Sequence, residues 1–520
     1  MNKLQLLLVS LMLPVYMGHA VSCCDEDDQA RGVVELPCGR IVAAGYSNKN
    51  NCNYDFALAG YTQYGFLDHT FGDGINKPGT TLTNFALALN SSSSPSNDIA
   101  NAIAVQKNCN PCDFSCKPEC ETDCNANCKL VVVGYSAGNG NCNSSCSFGS
   151  EDKNRGSFAI ARYNCDGTLD TSFGEDKKGV VRTQSPIAGG FAQAKAVAIQ
   201  DDGKIVVVGE TARDRSRYFM VARYTCDGIL DTTFGCNGTG IVLTGFSDAP
   251  LRIQPGYACC LPVSTKDKIE DSGANAVKIQ KNGKIVVAGF NRVRKSVELI
   301  DFALARYNTD GSLDTSFGPN HDGKVITDFS GNNTSTDGAF ALVLLEDCQD
   351  CFSCADSTKI VAVGPSYVNG NSEFALFALA GYTDNGKLDR SFGPNGNGLV
   401  TTSFGAGTAS GALAAALQRD CNNVCKIVAA GSNDITGKGD DFILARYTLN
   451  GLLDTSFGED KTGKVVTDFL NKSNDVAFAV TIQKNGAIVA AGSTNAITPN
   501  NPDGNYAFAL ARYNQCQPCC

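Results

Sequence analysis

The residues whose type and spacing could do acid–base chemistry are six aspartates, one in each of six copies of a motif close to Leu-Asp-Thr-Ser-Phe-Gly. Two carboxylates can hydrolyse a glycosidic bond, but only when both converge on one substrate. Equivalent residues of successive repeats occupy separate places, so we expect each aspartate to cap its own turn through hydrogen bonds from backbone N–H groups. The aspartates are Asp68, Asp170, Asp231, Asp314, Asp389 and Asp454.

Arginines a short distance before this motif could pair with the aspartates. Two copies of the repeat carry Gly60 and Gly381 at the arginine position, so such a pair cannot be required in every copy. The arginines are Arg162, Arg223, Arg306, Arg446 and Arg512.

Histidine is scarce in this sequence. Apart from His19 near the N-terminus, only His69 and His321 occur, and neither lies in a nucleophile elbow or in a metal-spaced pair. The sequence therefore argues against Ser-His-Asp catalysis and against a histidine-built zinc site. We expect a protein that is not an enzyme and that carries no cofactor.

The aspartate motif belongs to a longer unit that recurs seven times. Each copy contains up to four short runs of β-forming residues, called a, b, c and d here, separated by Gly, Asn and Asp residues of the kind that form hairpins. A glycine closes run b in every copy, at Gly45, Gly134, Gly209, Gly289, Gly364, Gly431 and Gly492. The copies span approximately residues 33–84, 98–183, 194–245, 274–329, 338–404, 412–469 and 476–514.

Run c is apolar on both faces. Alternation places Phe302 and Leu304 on one face and Ala303, Ala305 and Tyr307 on the other. A sheet of this kind must be sandwiched between neighbours, and a closed ring covers every copy equally. The sequence therefore predicts an all-β fold, a seven-bladed β-propeller of four-stranded antiparallel blades, with an open β-solenoid as the competing architecture.

The seventh copy ends after run c, at Tyr513. The last blade is therefore expected to be incomplete or to be closed by the N-terminal segment.

Three motifs of the fourth copy, residues 284–289, 302–307 and 313–318, resemble the delta-60 repeat of exported bacterial proteins. The resemblance covers residues 33–514. It implies a β-propeller of unassigned function and supplies no catalytic or ligand residue. This chain departs from the pattern in its cysteine-rich insertions and in its unequal repeat spacing.

The N-terminus has the pattern of a secretory signal peptide, with Lys3 before an apolar run at residues 4–17 and small residues up to Ala20. We expect cleavage after Ala20, which leaves one propeller domain at residues 21–520. A bacterial lipoprotein signal, with lipidation of Cys23, is the alternative. Both interpretations place the mature chain in the cell envelope or outside the cell.

Charge and hydropathy restrict the partners. Lys and Arg number 43 against 53 Asp and Glu, which gives a formal net charge of −10 and no basic face for nucleic acid. No further apolar run approaches the length of a membrane-spanning helix. We expect a monomer whose partners are proteins or glycans of the cell exterior.

The 25 cysteines of an exported chain are expected to form disulfides, because the compartment is oxidising. If the blades are antiparallel, the a–b and c–d turns share one rim of the ring, and most repeat cysteines fall on that rim. One group, spaced by three and then repeatedly by four residues, could instead bind zinc or copper through thiolates, although a disulfide-stapled hairpin is favoured. This group is Cys109, Cys112, Cys116, Cys120, Cys124 and Cys128.

Five further cysteines lie at the two termini: Cys23, Cys24, Cys516, Cys519 and Cys520. We expect the N-terminal stretch to pack beside the last blade and disulfides between the two terminal groups to lock the ring. Mass spectrometry of non-reduced peptides would exclude this if each group were bonded only within itself.

Three function classes remain. The first is a non-catalytic scaffold or binding module whose variable loops, residues 135–157, 245–272 and 493–506, meet the partner. The second is a propeller enzyme that acts on glycans or peptides in the central channel. The third is a calcium-dependent adhesin, since c–d turns such as residues 174–176 and 393–398 are rich in oxygen ligands, although none has the full spacing of a calcium loop.

Overall fold

The computed structural model describes residues 27–48, 53–74, 77–89, 96–107, 128–137, 156–213, 216–235, 238–246, 270–292, 300–331, 335–348, 360–367, 375–405, 408–419, 424–435, 439–469, 473–495 and 505–514. They form seven antiparallel sheets, one for each copy of the repeat, and these sheets are the blades of a propeller. The predicted all-β, seven-bladed fold is confirmed.

Within each blade the strands follow chain order, from a through b and c to d. Blades 1 to 4 consist of β1 (Asp28–Glu35), β2 (Ile41–Asn48), β3 (Tyr54–Tyr61) and β4 (Thr80–Thr83); β5 (Asn97–Lys107), β6 (Cys128–Ala137), β7 (Ser157–Asn164) and β8 (Val180–Thr183); β9 (Phe191–Ile199), β10 (Ile205–Arg213), β11 (Ser216–Tyr224) and β12 (Ile241–Thr244); and β13 (Ser272–Ile279), β14 (Ile285–Arg292), β15 (Ile300–Tyr307) and β16 (Lys324–Thr327).

Strand a of blade 5 is split into two pieces, and blade 7 has three strands among the described residues. Blades 5 to 7 consist of β17 (Thr336–Asp337), β18 (Ala341–Leu344), β19 (Ile360–Tyr367), β20 (Ala375–Tyr382) and β21 (Leu399–Thr402); β22 (Thr408–Arg419), β23 (Cys425–Ile435), β24 (Gly439–Thr448) and β25 (Lys464–Thr467); and β26 (Asp475–Ile482), β27 (Ile488–Thr494) and β28 (Ala507–Tyr513). A short helix, α1 (Phe85–Ala88), follows β4.

Strands b and c are buried on both faces. Val287 of strand b pairs with Ala305 of strand c, Ala288 pairs with Leu304, and all four side chains are inaccessible to solvent. Their β-branched and small apolar side chains suit a pleated surface that is covered on both sides.

Seven hydrophobic clusters hold the blades together, one at each junction between neighbouring blades. The last junction joins the two ends of the ring, where Val33 and Ile41 of blade 1 pack with Val489 and Phe508 of blade 7. Fully burying a side chain of this size contributes about 1.5–3 kcal/mol. Side-chain packing therefore closes the circle.

Strand a is the innermost strand of each blade. The a strands of neighbouring blades contact one another around the whole ring, from β1 through β5, β9, β13, β18, β22 and β26 back to β1. They form the wall of a central channel.

A β-bulge interrupts strand a, opposite the recurring glycine of strand b. In blade 4, Ala274 pairs with Gly289 and Ala276 with Ala288, so Asn275 is the extra residue. A Cβ atom on Gly289 would lie 1.9 Å from the carbonyl oxygen of Gly273. The glycine is therefore required because the bulged backbone passes through the space of a side chain.

The N-terminal strand belongs to blade 1. Residues 28–35 pair with β2 as strand a, and the N–H of Asp28 donates to the carbonyl of Tyr506 in blade 7 at 2.9 Å. Among the described residues blade 7 is thus incomplete, which is the first of the two predicted arrangements. None of the helices in the described part of the chain has the length and apolar character to cross a membrane.

Candidate functional site

Each c–d turn is held by a group of side chains that we call the turn clasp: the motif aspartate, the Ser or Thr two residues later, and basic residues of strands b and c. In blade 4, Asp314 Oδ1 accepts hydrogen bonds from the N–H and the hydroxyl of Ser316 at 3.0 and 2.7 Å. Its Oδ2 accepts from Arg306 Nε at 2.7 Å and from Lys284 Nζ at 2.8 Å.

The same clasp recurs in three other blades. The guanidinium of the strand c arginine also lies over the ring of the motif phenylalanine, at 4.6 Å in the pair of Arg306 and Phe317. The equivalent ion pairs join Arg162 and Lys129 to Asp170, Arg223 and Lys204 to Asp231, and Arg446 and Lys426 to Asp454.

In blade 1 the arginine of the clasp comes from a different position, the residue before strand b instead of strand c. Gly60 occupies the strand c position, and a Cβ there would lie 2.4 Å from the Phe71 ring. Arg40, beside strand b at the position of Lys284, pairs instead with Asp68 at 2.7 Å. Sequence reasoning missed Arg40, although a basic residue before strand b in most copies was a signal that could have found it.

Arginines of the clasp also join neighbouring blades. Arg162 Nη1 donates to the carbonyl of Cys226 in blade 3 at 2.6 Å, and Arg40 Nη1 donates to that of Cys165 in blade 2 at 2.9 Å. Arg512, on strand c of blade 7, donates to Gln483 Oε1 at 2.5 Å.

The clasp fixes the charge of its aspartate. Burial alone would raise the pKa of Asp231, but hydrogen bonds from Thr233 and the charge of Arg223 outweigh burial and lower the pKa to about 2. Burial is likewise outweighed at Asp170, whose pKa is also lowered to about 2. Carboxylates of this kind hold no proton to donate near neutral pH.

The structure places the six predicted turn aspartates in six different blades, so it does not bring any two of them together. Each accepts bonds from the residue two positions later, as Asp389 does from Ser391 at 2.9 and 2.7 Å. The repeated aspartates therefore stabilise turns.

Two disulfides join pairs of described residues on the rim that carries the a–b and c–d turns. Cys128, at the start of β6, is bonded to Cys165, which follows β7 in the same blade. Cys348 of blade 5 is bonded to Cys425 of blade 6, so this bond crosses a blade junction. The remaining predicted disulfide residues lie outside the described part of the chain: Cys23, Cys24, Cys109, Cys112, Cys116, Cys120, Cys124, Cys516, Cys519 and Cys520.

The loops predicted to meet a partner lie mostly outside the described residues. Only the ends of 135–157, 245–272 and 493–506 are described.

The extra residues of six bulges, together with Phe340 between the two pieces of strand a in blade 5, form a ring on the innermost strands, which we call the bulge ring. Four neighbouring members are polar or basic and the other three are apolar. Arg31 lies over the ring of Phe478 at 4.1 Å, and Asn101 Nδ2 donates to the carbonyl of Ala194 at 2.7 Å. In chain order the members are Arg31, Asn101, Lys195, Asn275, Phe340, Leu413 and Phe478.

Positive charge accumulates on one side of the bulge ring. Burial lowers the pKa of Lys195, and the charges of Arg31 and Arg217 lower it further, whereas Glu210 opposes them. On the other side, Phe340 is 40% exposed. Sequence reasoning missed this ring, because the bulge residues share a position but no residue type.

Beyond the bulge ring, towards the a–b turns, the channel holds a cavity of about 490 Å³. Most of its described lining is aliphatic, as at Val33, Ile103 and Leu417, and Lys278 and Arg419 bring positive charge. The channel can therefore receive an apolar group together with an anionic one.

A different kind of group lies where strand d of one blade crosses to strand a of the next. Asp301, Asp328 and Asp337, at the junction of blades 4 and 5, each place one carboxylate oxygen within 4.8 Å of the others. Burial and the charges of Asp328 and Asp337 raise the pKa of Asp301 to about 7. Oxygen ligands in this arrangement suit a hard cation.

Four segments of the chain match a family model described as "Domain of unknown function (DUF5122) beta-propeller". They are residues 147–173, 200–234, 280–317 and 426–457. The chain thus contains repeats similar to those of a propeller family of unknown function. No curated protein matches the sequence.

Solved structures similar to this chain include Sqt1 of Chaetomium thermophilum bound to the N-terminus of the ribosomal protein L10, at 10% identity, a TM-score of 0.41, and coverage of 94% of this chain and 97% of that chain. The polysaccharide lyase Uly1 is similar at 10% identity, a TM-score of 0.42, and coverage of 94% and 90%. A putative glycoside hydrolase from Parabacteroides distasonis is similar at 13% identity, a TM-score of 0.27, and coverage of 63% and 88%. At these scores the likeness carries no argument about function.

Proposed function

We propose that this chain is a non-catalytic binding module of the cell exterior that takes an anionic protein segment into its central channel. The observation that carries the proposal is a set of basic side chains on the channel wall. Arg31, Lys195, Lys278 and Arg419 stand on strands a of blades 1, 3, 4 and 6. The acidic residues of the same strands lie near the strand ends and outside the described lining of the cavity.

The chemistry of the wall favours a partner with both an acidic and an apolar part. Lys278 and Arg419 lie in the same cavity as Val343 and Leu344 of blade 5. An extended peptide fits this combination, because its carboxylate can meet the basic residues while its aliphatic side chains displace water from the apolar wall.

The ion pairs and the lowered pKa of the recurring aspartates support a binding function rather than a catalytic one. Those with a described clasp, such as Asp170 and Asp314, are tied to arginine, lysine and a hydroxyl group. Their lowered pKa makes them poor general acids.

A location outside the cytoplasm fits the cysteine content and the pattern of residues 1–20. Disulfides such as Cys348–Cys425 persist in oxidising compartments. The cysteine-rich departure from the delta-60 pattern would then add crosslinks to a rigid frame.

A binding screen with charge-reversal variants tests this proposal. The oxidised protein is applied to arrays of acidic peptides with aliphatic residues and to arrays of glycans. Lys278→Glu and Arg419→Glu are expected to weaken peptide binding at least about tenfold each, the effect of losing one charge-assisted contact. Lys387→Glu, at an exposed turn position away from the cavity, is the matched control.

The outcomes are distinct. Peptide binding that falls with both cavity variants and not with the control supports the proposal. Binding that is indifferent to Lys278 and Arg419 contradicts it, as does turnover of a glycan or peptide by the purified protein.

A further inference from the structure

The crossing from blade 4 to blade 5 is capped by an aspartate of strand a. Asp337 Oδ2 accepts hydrogen bonds from the N–H of Phe329 at 3.0 Å and from the Ser335 hydroxyl at 2.6 Å. Its other oxygen, Oδ1, is buried and accepts no hydrogen bond of normal geometry from the described residues, and the Ser366 hydroxyl opposes the rise in the pKa of Asp337 that burial causes. One half of this carboxylate therefore holds the turn, and the other half faces strand b, where Ser366 is paired with Asp337.

Two more carboxylates meet Asp337 at this point. Asp301 comes from strand c of blade 4, and Asp328 directly follows strand d. Asp328 Oδ1 accepts from the N–H and the hydroxyl of Ser330 at 2.9 and 2.6 Å, so its position is fixed by its own turn. Three strands thus deliver three acidic groups to one place.

Asp301 is the member that most needs a cation. Only 2% of its surface is exposed, and its Oδ1 is buried with no hydrogen-bond partner among the residues that the structure describes. A carboxylate that has lost its water and faces two other carboxylates is strongly disfavoured unless a positive charge or a proton compensates for the loss.

The junction of blades 1 and 2 has a related group of residues at the same positions. The equivalent residues there are Asp55, Asn84 and Asp98, so an amide replaces the middle carboxylate. Asn84 Nδ2 donates a hydrogen bond to Asp55 Oδ1 at 2.7 Å. With Asp328 in place of the amide, that donor is missing between blades 4 and 5.

We propose that Asp301, Asp328 and Asp337 bind one calcium ion that joins blade 4 to blade 5. Because their oxygens lie within 4.8 Å of one another, a single point lies no more than about 2.8 Å from all three, and three carboxylates with flexible geometry suit calcium better than magnesium, which keeps most of its water. Asn291 pairs with Asp301 across strands b and c, so its amide oxygen stands on the same face as a further ligand.

A related cluster of Asp441, Asp468 and Asp475 lies between blades 6 and 7. There, Asp475 already accepts from the N–H of Phe469 at 2.9 Å and, with its other oxygen, from the Thr494 hydroxyl at 2.5 Å. Both oxygens of the strand a aspartate are thus engaged, and the proposal is confined to the first cluster.

The test is a thermal unfolding series of the oxidised protein in EDTA, in millimolar magnesium and in increasing calcium. Calcium in about tenfold excess over its dissociation constant is expected to raise the Tm by about 2 °C, with half-saturation at about 10⁻⁴ to 10⁻³ M, as in extracellular calcium modules. Magnesium at equal concentration is expected to give less than half of this rise.

Asp328→Asn recreates the amide arrangement of blades 1 and 2, so this variant is expected to fold. It should lose at least half of the calcium-dependent rise and should have a Tm in EDTA no lower than that of the unmodified protein. Asp55→Asn, at the position of Asp301 in blade 1, is the matched control and should keep the whole rise.

Three results would overturn the proposal. They are no rise in Tm with calcium, an equal rise in Asp328→Asn and the unmodified protein, and an equal rise with magnesium. The first result, combined with a Tm in EDTA that increases as the pH is lowered towards 5, would show that a proton rather than a metal ion occupies the cluster.

Discussion

Tyr61 and Tyr163 occupy the same position of strand c in neighbouring blades, but of the two only Tyr163 has a hydrogen-bond partner among the described residues. The Tyr163 hydroxyl donates to Thr83 Oγ1, at the end of strand d of blade 1, at 2.8 Å. The Tyr61 hydroxyl is buried with no partner in the described part of the chain, and burial raises its pKa. The blade before Tyr61 is blade 7, whose described strands end with strand c.

This difference predicts opposite effects of one substitution. Tyr61→Phe is expected to leave the free energy of unfolding unchanged or to raise it by up to about 1 kcal/mol, because it removes a buried hydroxyl with no partner. Tyr163→Phe is expected to lower it by about 1 kcal/mol, because the Thr83 hydroxyl then loses its partner. Urea unfolding measures both values, and equal losses would mean that Tyr61 is hydrogen-bonded in solution.

The exchanged arginine of blade 1 predicts a second contrast. Arg40→Ala is expected to lower the free energy of unfolding by about 3 kcal/mol, because it leaves Asp68 without its cation and the Cys165 carbonyl without a donor. Lys284→Ala is the matched variant and should cost less than about 1 kcal/mol, because Arg306 still neutralises Asp314. Denaturant unfolding measures both values. Equal losses of unfolding free energy in Arg40→Ala and Lys284→Ala would mean that Arg40 does not take the place of the strand c arginine in blade 1.

The turn clasps predict a loss of stability in acid. The pKa of Asp170 and of Asp231 is about 2 in the folded protein, below the value of about 3.9 for an unfolded aspartate. Their contribution is therefore complete above pH 4 and disappears as protons bind the folded form between about pH 4 and pH 2.

Asp231→Asn checks this pH dependence. The variant should lose about 1 kcal/mol of unfolding free energy at neutral pH and should show a shallower decline between pH 4 and pH 2. Chemical denaturation at several pH values gives both numbers. Asp201→Asn, at an exposed turn position, is the control, and an unchanged decline in Asp231→Asn would mean that the clasp does not set the acid limit.

The architecture could be predicted because the same unit of up to four β-forming runs recurs seven times in the sequence. The alternation that puts Leu304 and Ala305 on opposite faces of an apolar strand requires covered faces, and a ring provides them. The bulge could not be predicted in the same way. Gly289 marks its place, but the carbonyl of Gly273 that needs the space belongs to another strand.

The candidate sites could not be predicted in this way, because they consist of residues that are distant in sequence and come into contact only in the folded protein. Asp68 takes its cation from Arg40, which directly precedes strand b, rather than from strand c. Asp301, Asp328 and Asp337 belong to no recurring motif and form a cluster only because strand c begins, strand d ends and the next strand a begins at one place. Sequence reasoning therefore found the repeated aspartates, which are structural, and missed the residues that vary between blades.

The requirement for the bulge predicts opposite responses at two glycines on neighbouring strands of blade 6, Gly411 opposite Ser432 and Gly431 opposite Ala412. A Cβ on Gly431 would lie 1.8 Å from the Gly411 carbonyl oxygen, so the bulged strand would have to move. A Cβ on Gly411 would have its nearest neighbour, Pro365 Cβ, at 3.7 Å. Gly431→Ala is expected to cost at least about 3 kcal/mol of unfolding free energy, whereas Gly411→Ala should be neutral or stabilising by up to about 1 kcal/mol through its unfolded state.

Thermal and urea unfolding of the two variants settle the point, because both substitutions add the same methyl group to the same sheet. If Gly431→Ala were as stable as Gly411→Ala, the strand a bulge would not need the glycine. Leu413 and the other members of the bulge ring would then owe their place in the channel to something other than the recurring glycine.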